Sequence, residues 1–194
     1  MWYFRATASA NKTLLPKHKF QPKRYVMRLN QRMGVLLLAF IFSLHAAWGG
    51  TQAKAGFEKL KSLSGEWEGK DADGMDAKTS FKVMVNGTTV METLVAMHME
   101  EMVTLYNVDA DSITLIHYCP TNNQPRMRAT PGQGAIKELN FSFQGAGNLP
   151  SEATGHEHKL VIRFEDADHI TEEWTWRKNG KDTPMIYHFT RKRG

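Results

Sequence analysis

From residue 65 onward, apolar and polar residues alternate with a period of two; before it they do not. The stretch "GFEKLKSLSG" spaces Phe57, Leu60 and Leu63 three apart, which predicts one face of a brief helix, and Gly65 ends it. "GEWEGK" then reads as a first strand. In "SFKVMVNG", Phe81, Val83 and Val85 alternate with Lys82, Met84 and Asn86, and Asn86-Gly87 is a hairpin signal. Further strands follow in "TTVMETLVAMHM", "EMVTLYNV", "ITLIHYC", "PRMRAT", "IKELNFSFQG" and "HKLVIRFED". A second Asn-Gly, at 179–180, joins "HITEEWTWRK" to "TPMIYHFTRK". Turns such as "DADS", "TPGQG" and "DADH" separate them, and "GAGNLPSEATGHE" is a looser connection near a cavity mouth. Short turns make consecutive strands antiparallel neighbours. About ten of them predict an all-β fold, an antiparallel up-and-down barrel that removes its own exposed edges, with a short N-terminal helix.

Charge changes the picture of the first quarter. The chain has 194 residues and a net charge of +5. Residues 1–55 hold nine basic residues and no acidic one, so the remainder carries sixteen basic residues against all twenty acidic ones. That remainder is no basic nucleic-acid binder. Arg28 and Arg32 precede a 15-residue run, Gly34 to Trp48, that is apolar apart from Ser43 and His45, and small residues follow. Basic start, short apolar stretch and small residues are the layout of a secretory signal peptide. A membrane span needs roughly 20 apolar residues, so no span is expected once the leader is removed. Cleavage is expected after Gly49 or at Ala53–Ala55, and the absence of a cysteine there speaks against a lipid anchor. The expected organisation is 1–26 as a disordered or over-extended start, 27–55 as signal peptide and 56–194 as the barrel domain, exported to the periplasm or beyond. Met27 or Met33 is the expected true start, and an organellar presequence is the alternative. Cys119 is the single cysteine, so no internal disulfide forms.

The densest chemistry lies in "HYCPTNNQPRMR", residues 117–128. Alternation places Ile113, Leu115, His117 and Cys119 on one face, predicted to be the interior. Pro120 and Pro125 limit strand pairing, and Thr121, Asn122 and Asn123 supply a turn. Arg126 and Arg128 share a face opposite Met127. Paired back across the turn, they would approach His117 and form an anion clamp, since Arg presents a planar fork to a carboxylate. The competing expectation is that both arginines face water and His117 is a core histidine. Cys119 is assigned to packing. Glu172, Trp174 and Trp176 share a face, so the two tryptophans would line a cavity with an acid at its rim, or simply form wall. His156 and His158 aim to one side of a strand, an adventitious metal spacing; no dedicated metal site and no paired carboxylates for acid–base work are expected.

The helix, "GEWEGK" and the meander ending in "YHFTRKR" resemble the calycin barrels: lipocalins, fatty-acid-binding proteins and nitrobindin-like proteins. Gly65-x-Trp67 is similar to their first-strand motif, and the resemblance implies that Trp67 packs against a late-strand arginine, here Arg191, with Arg193 as substitute. "MVTLYNVDADSITLIHYCPTNNQPRMRA" resembles an exported bacterial family of unknown function with that barrel, and the resemblance covers about 57–194. Nitrobindin-like barrels ligate haem through a late-strand histidine. His188 holds that place, but alternation sets it opposite Tyr187, Phe189 and Arg191.

Together these features predict an exported barrel binding a small apolar or amphipathic molecule, acidic if the arginines take part. The expected ligand-binding residues are His117, Arg126, Arg128, Trp174 and Trp176, with Trp67 and Arg191 structural, no catalytic residue, no cofactor and no nucleic-acid partner. The alternatives are an enzyme using His117, Cys119, Arg126 and Arg128 in the same cavity, a haem protein, and a filled barrel with a structural role in which Phe81, Phe141, Phe143, Trp174 and Trp176 occupy the interior.

Overall fold

The computed structural model describes residues 52–96 and 99–193. The leader-like run and the segment 1–26 lie outside the described residues. Helix α1 spans residues 52–62. It buries Ala53, Phe57 and Leu60 on one side, with Leu63 just beyond it, the i, i+4, i+7 stripe of a helix facing a core. It begins four residues earlier than the expected domain start at 56, and Ala53 is fully buried, so cleavage after Ala55 would remove a core residue. Gly56 sits where the helix meets the barrel. A Cβ there would lie 3.0 Å from Ile113 Cδ1 and 3.1 Å from a Leu139 methyl, which is why a glycine occupies mid-helix despite its cost.

Ten strands follow: β1 (Gly65–Asp71), β2 (Asp76–Met84), β3 (Thr89–Ala96), β4 (Met102–Asp109), β5 (Ser112–Tyr118), β6 (Gln124–Ala129), β7 (Glu138–Gly147), β8 (His156–Phe164), β9 (His169–Lys178) and β10 (Lys181–Arg191). Each pairs antiparallel with the next, and β10 pairs with β1 to close the barrel. The expected fold class is therefore the observed one. Both Asn-Gly pairs turn as read: Asn86, Gly87, Asn179 and Gly180 all have left-handed φ. The first turn differs in detail. Val85 also turns left-handed and is 65% exposed, and Val83 is exposed as well, so only Phe81 of the predicted apolar triplet is buried. The tight turn takes the strand end away from the core.

The end of the barrel where β1 starts and β10 ends is closed by α1. Trp67 and Arg191 are register partners across the closing pair. The Arg191 guanidinium lies 4.2 Å from the Trp67 ring centre, and the indole Nε1–H donates to Leu63 O at 2.8 Å. The same guanidinium donates to Ser62 O and Ser64 O, both at 2.9 Å, and to Ala167 O at 3.1 Å. One cation thus satisfies carbonyls at the helix C-terminus, which has no intrahelical partners for them, and ties helix, first strand and the β8–β9 turn together.

Candidate functional site

Alternation in four strands sends polar side chains inward along with the apolar ones. On β3, Val90, Glu92, Leu94 and Ala96 face the interior; on β2, Ala77, Thr79 and Phe81; on β4, Met102, Thr104 and Tyr106; on β9, Ile170, Glu172 and Trp174. Glu92 is fully buried and accepts from the Tyr106 hydroxyl (Oε2, 2.6 Å) and from Thr79 Oγ1 (Oε1, 3.1 Å). Glu172, also fully buried, accepts from Trp174 Nε1 at 3.1 Å through Oε2 and lies close enough to Glu92 to feel its charge. Burial raises the affinity of both carboxyls for protons, and the negative charge of Glu92 raises that of Glu172 further. Glu92 already accepts two hydrogen bonds, which favour its charged form. Of the two, Glu172 is the one held protonated; its Oε1 has no hydrogen-bond partner. Glu172 is consequently not the rim acid expected from its position beside Trp174; it lies in the barrel's middle belt.

Above this belt, at the end away from α1, is a cavity of about 280 Å³. Leu94, Met99, Met102, Met185 and Tyr187 form its apolar wall with Trp174 and Trp176, and Cys119, Pro120 and Thr121 contribute from the β5–β6 turn. Met99 and Thr121 are exposed and mark the mouth. That turn is built as its residues dictate. Asn122 N–H donates to Cys119 O at 3.1 Å around Pro120-Thr121, and Asn122 takes a left-handed φ of 63°. Asn123 Nδ2 then donates to Gly155 O at 2.9 Å, anchoring the β7–β8 connection beside the turn. A Cβ on Gly155 would lie 2.2 Å from Trp176 Cζ2, so the connection packs directly on a cavity tryptophan. The interior is not filled. Phe81 and Phe141 are buried in the core, while Phe143 stacks on His156 and His158 outside the cavity.

Two polar side chains face the cavity with unsatisfied atoms. His117, 1% exposed, packs its ring 4.6 Å from that of Trp174 and engages Thr104 Oγ1 through Nδ1 at 2.9 Å. Its Nε2 has no partner. Burial lowers its pKa to about 4, so it is neutral at neutral pH. The second is Glu157, 5% exposed, whose Oε2 is also without a partner. Burial raises its pKa to about 8, so it is mostly protonated at neutral pH. Glu157 reaches the interior through a β-bulge between Glu157 and Lys159. Counting back by twos from the buried Leu160 and Ile162 puts His158 inward. The extra residue reverses the parity and sends Glu157 in instead. His156 and His158 are left together on the other side, with His156 Nε2 and His158 Nδ1 3.2 Å apart. Among the described residues, no three His, Cys, Asp or Glu side chains group as metal ligands.

The arginines do not join this site. Pro125, Met127 and Ala129 are buried while Arg126 is exposed and Arg128 half-buried, so both point to the outer face. Arg128 forms an ion pair with Asp109 there. The anion clamp expected from "PRMR" is therefore absent, because the strand buries its apolar residues and a barrel wall separates the guanidinium groups from His117. His188 is also exposed and bonds Thr171 Oγ1 at 3.0 Å, which leaves it unable to ligate a group inside the barrel. The pairing of His117 with Cys119 as base and nucleophile is equally weak in physical terms. An imidazole held at a pKa of about 4 is a poor base at neutral pH.

No family model and no curated protein sequence matches the chain. The fold is similar to that in the crystal structure of Rv2717c from M. tuberculosis, with a TM-score of 0.53 and 14% sequence identity over 70% of this chain and 96% of that one. At that identity the likeness is one of fold.

Proposed function

We propose that this protein is an exported calycin-like barrel that binds a small, largely apolar molecule in the cavity at the end opposite α1. The observation that carries this reading is the cavity itself: about 280 Å³ of largely apolar space beside a core of buried hydrophobic side chains. A barrel of this kind without a binding role would gain stability by filling that space, since an empty apolar volume forfeits packing contacts. The calycin assignment is supported by Gly65-x-Trp67 on β1 and by Trp67 lying under Arg191 of the last strand. Export rests on the leader pattern in residues 27–55. The cavity offers no buried cation among its lining residues, so an uncharged ligand fits better than the acidic one that inward arginines would have favoured.

The test is binding of the neutral apolar dye Nile red, followed by its fluorescence gain, to wild type and to Met102→Trp, which fills the cavity from β4. Wild type should bind the dye and the filled variant should not. Equal dye binding by both would place the apolar site elsewhere and overturn the reading.

A further inference from the structure

Resting on the cavity-binding reading above, we infer that the polar end of the ligand is an uncharged group that can both donate and accept hydrogen bonds and that engages His117 Nε2 and the Glu157 carboxyl, as a primary carboxamide or an alcohol does.

Buried polar atoms in native folds are almost always paired, and an unpaired one is costly. Here two such atoms, His117 Nε2 and Glu157 Oε2, belong to side chains that line the same largely apolar cavity. They come from opposite regions of the chain, β5 and the bulged start of β8, so no single local irregularity accounts for both.

Thr104 Oγ1 engages His117 Nδ1, so Nε2 is the ring nitrogen left for a ligand, and a head group that can both donate and accept satisfies it in either tautomer. Glu157, protonated in its apolar surroundings, offers a donor. A carboxylate head would find no cation among the lining residues to pair with, a costly burial. An ammonium head would find no anion until Glu157 released its proton to solvent, which its burial opposes at neutral pH.

The experiment uses the full chain and four molecules with one alkyl tail: octanamide, octanol, octanoate and octylamine, titrated calorimetrically at neutral pH. Octanamide and octanol should bind, with octanoate and octylamine each weaker by about tenfold or more, as expected when one charged head is left without a partner. His117→Phe and Glu157→Met should each narrow that difference while retaining affinity for the tail. Octanoate or octylamine binding as tightly as octanamide would overturn the head-group assignment and leave cavity binding standing. Failure of all four to bind would overturn cavity binding and this inference with it. The comparison among heads on the wild-type protein holds whether or not the variants fold.

Discussion

Glu157→Gln isolates the carboxyl that burial keeps protonated. In an unfolded chain a glutamate titrates near 4.5, whereas in the barrel Glu157 titrates near 8. The folded-state value is the higher one. The carboxyl therefore favours the fold fully below pH 4.5, and that advantage is lost as pH rises through 8, because the unfolded chain gives up its proton while the fold must keep it. Each pH unit in that window costs about 1.4 kcal/mol. The full span is about 5 kcal/mol, an upper figure because some water reaches a cavity that opens to solvent. Glutamine is nearly isosteric and cannot ionise. The stability difference, variant minus wild type, should be flat below pH 4.5, climb to a few kcal/mol by pH 8 and level off above it. Urea unfolding of both proteins at a series of pH values, followed by tryptophan fluorescence, measures this. His117 and the Glu92–Glu172 pair are present in both proteins and cancel in the difference. A difference that stays constant from pH 4.5 to 8 would show that Glu157 is ionised in the fold and would refute the electrostatic picture of the cavity.

Trp67→Ala should cost about 3–5 kcal/mol in urea unfolding, the usual range for emptying a large aromatic site, and a loss below about 1 kcal/mol would show that the Arg191 stack does not hold the closed end. Arg126→Met and Arg128→Met should each change stability by less than about 0.5 kcal/mol and leave Nile red affinity unchanged, since both side chains lie on the outer face; a loss of dye binding in either would contradict that placement. Gly155→Ala should destabilise by about 1–3 kcal/mol through overpacking and alter dye binding, because the added methyl meets Trp176 at a cavity wall; an unchanged protein would show that the connection yields freely.

Much of the architecture was legible in local pattern. Alternation of period two, the two Asn-Gly turns, the Pro-Thr-Asn turn after Cys119 and the 57–60–63 stripe each depend on residues within a few positions of one another, and each reports backbone geometry directly. The inward placement of His117 and of Trp174 beside Glu172 followed from the same parity. Parity also held the answer for Arg126 and Arg128, since Pro125, Met127 and Ala129 alternate with them and the apolar set goes inside. Glu92 was legible in the same way, on the face shared by Val90, Leu94 and Ala96. Three features were decided only by the tertiary structure. Glu157 reaches the cavity because a bulge inserts one residue against β9, and no residue type marks where a ladder will slip. Glu92 raises the proton affinity of Glu172 inside the barrel because closure of β1 on β10 brings strands eighty positions apart to face each other. The cavity lies at the end that α1 does not close, and its wall is assembled from strands far apart in the sequence. Side-chain direction along a strand is a local property, whereas which inward side chains meet, and whether space remains between them, depends on how the whole sheet closes.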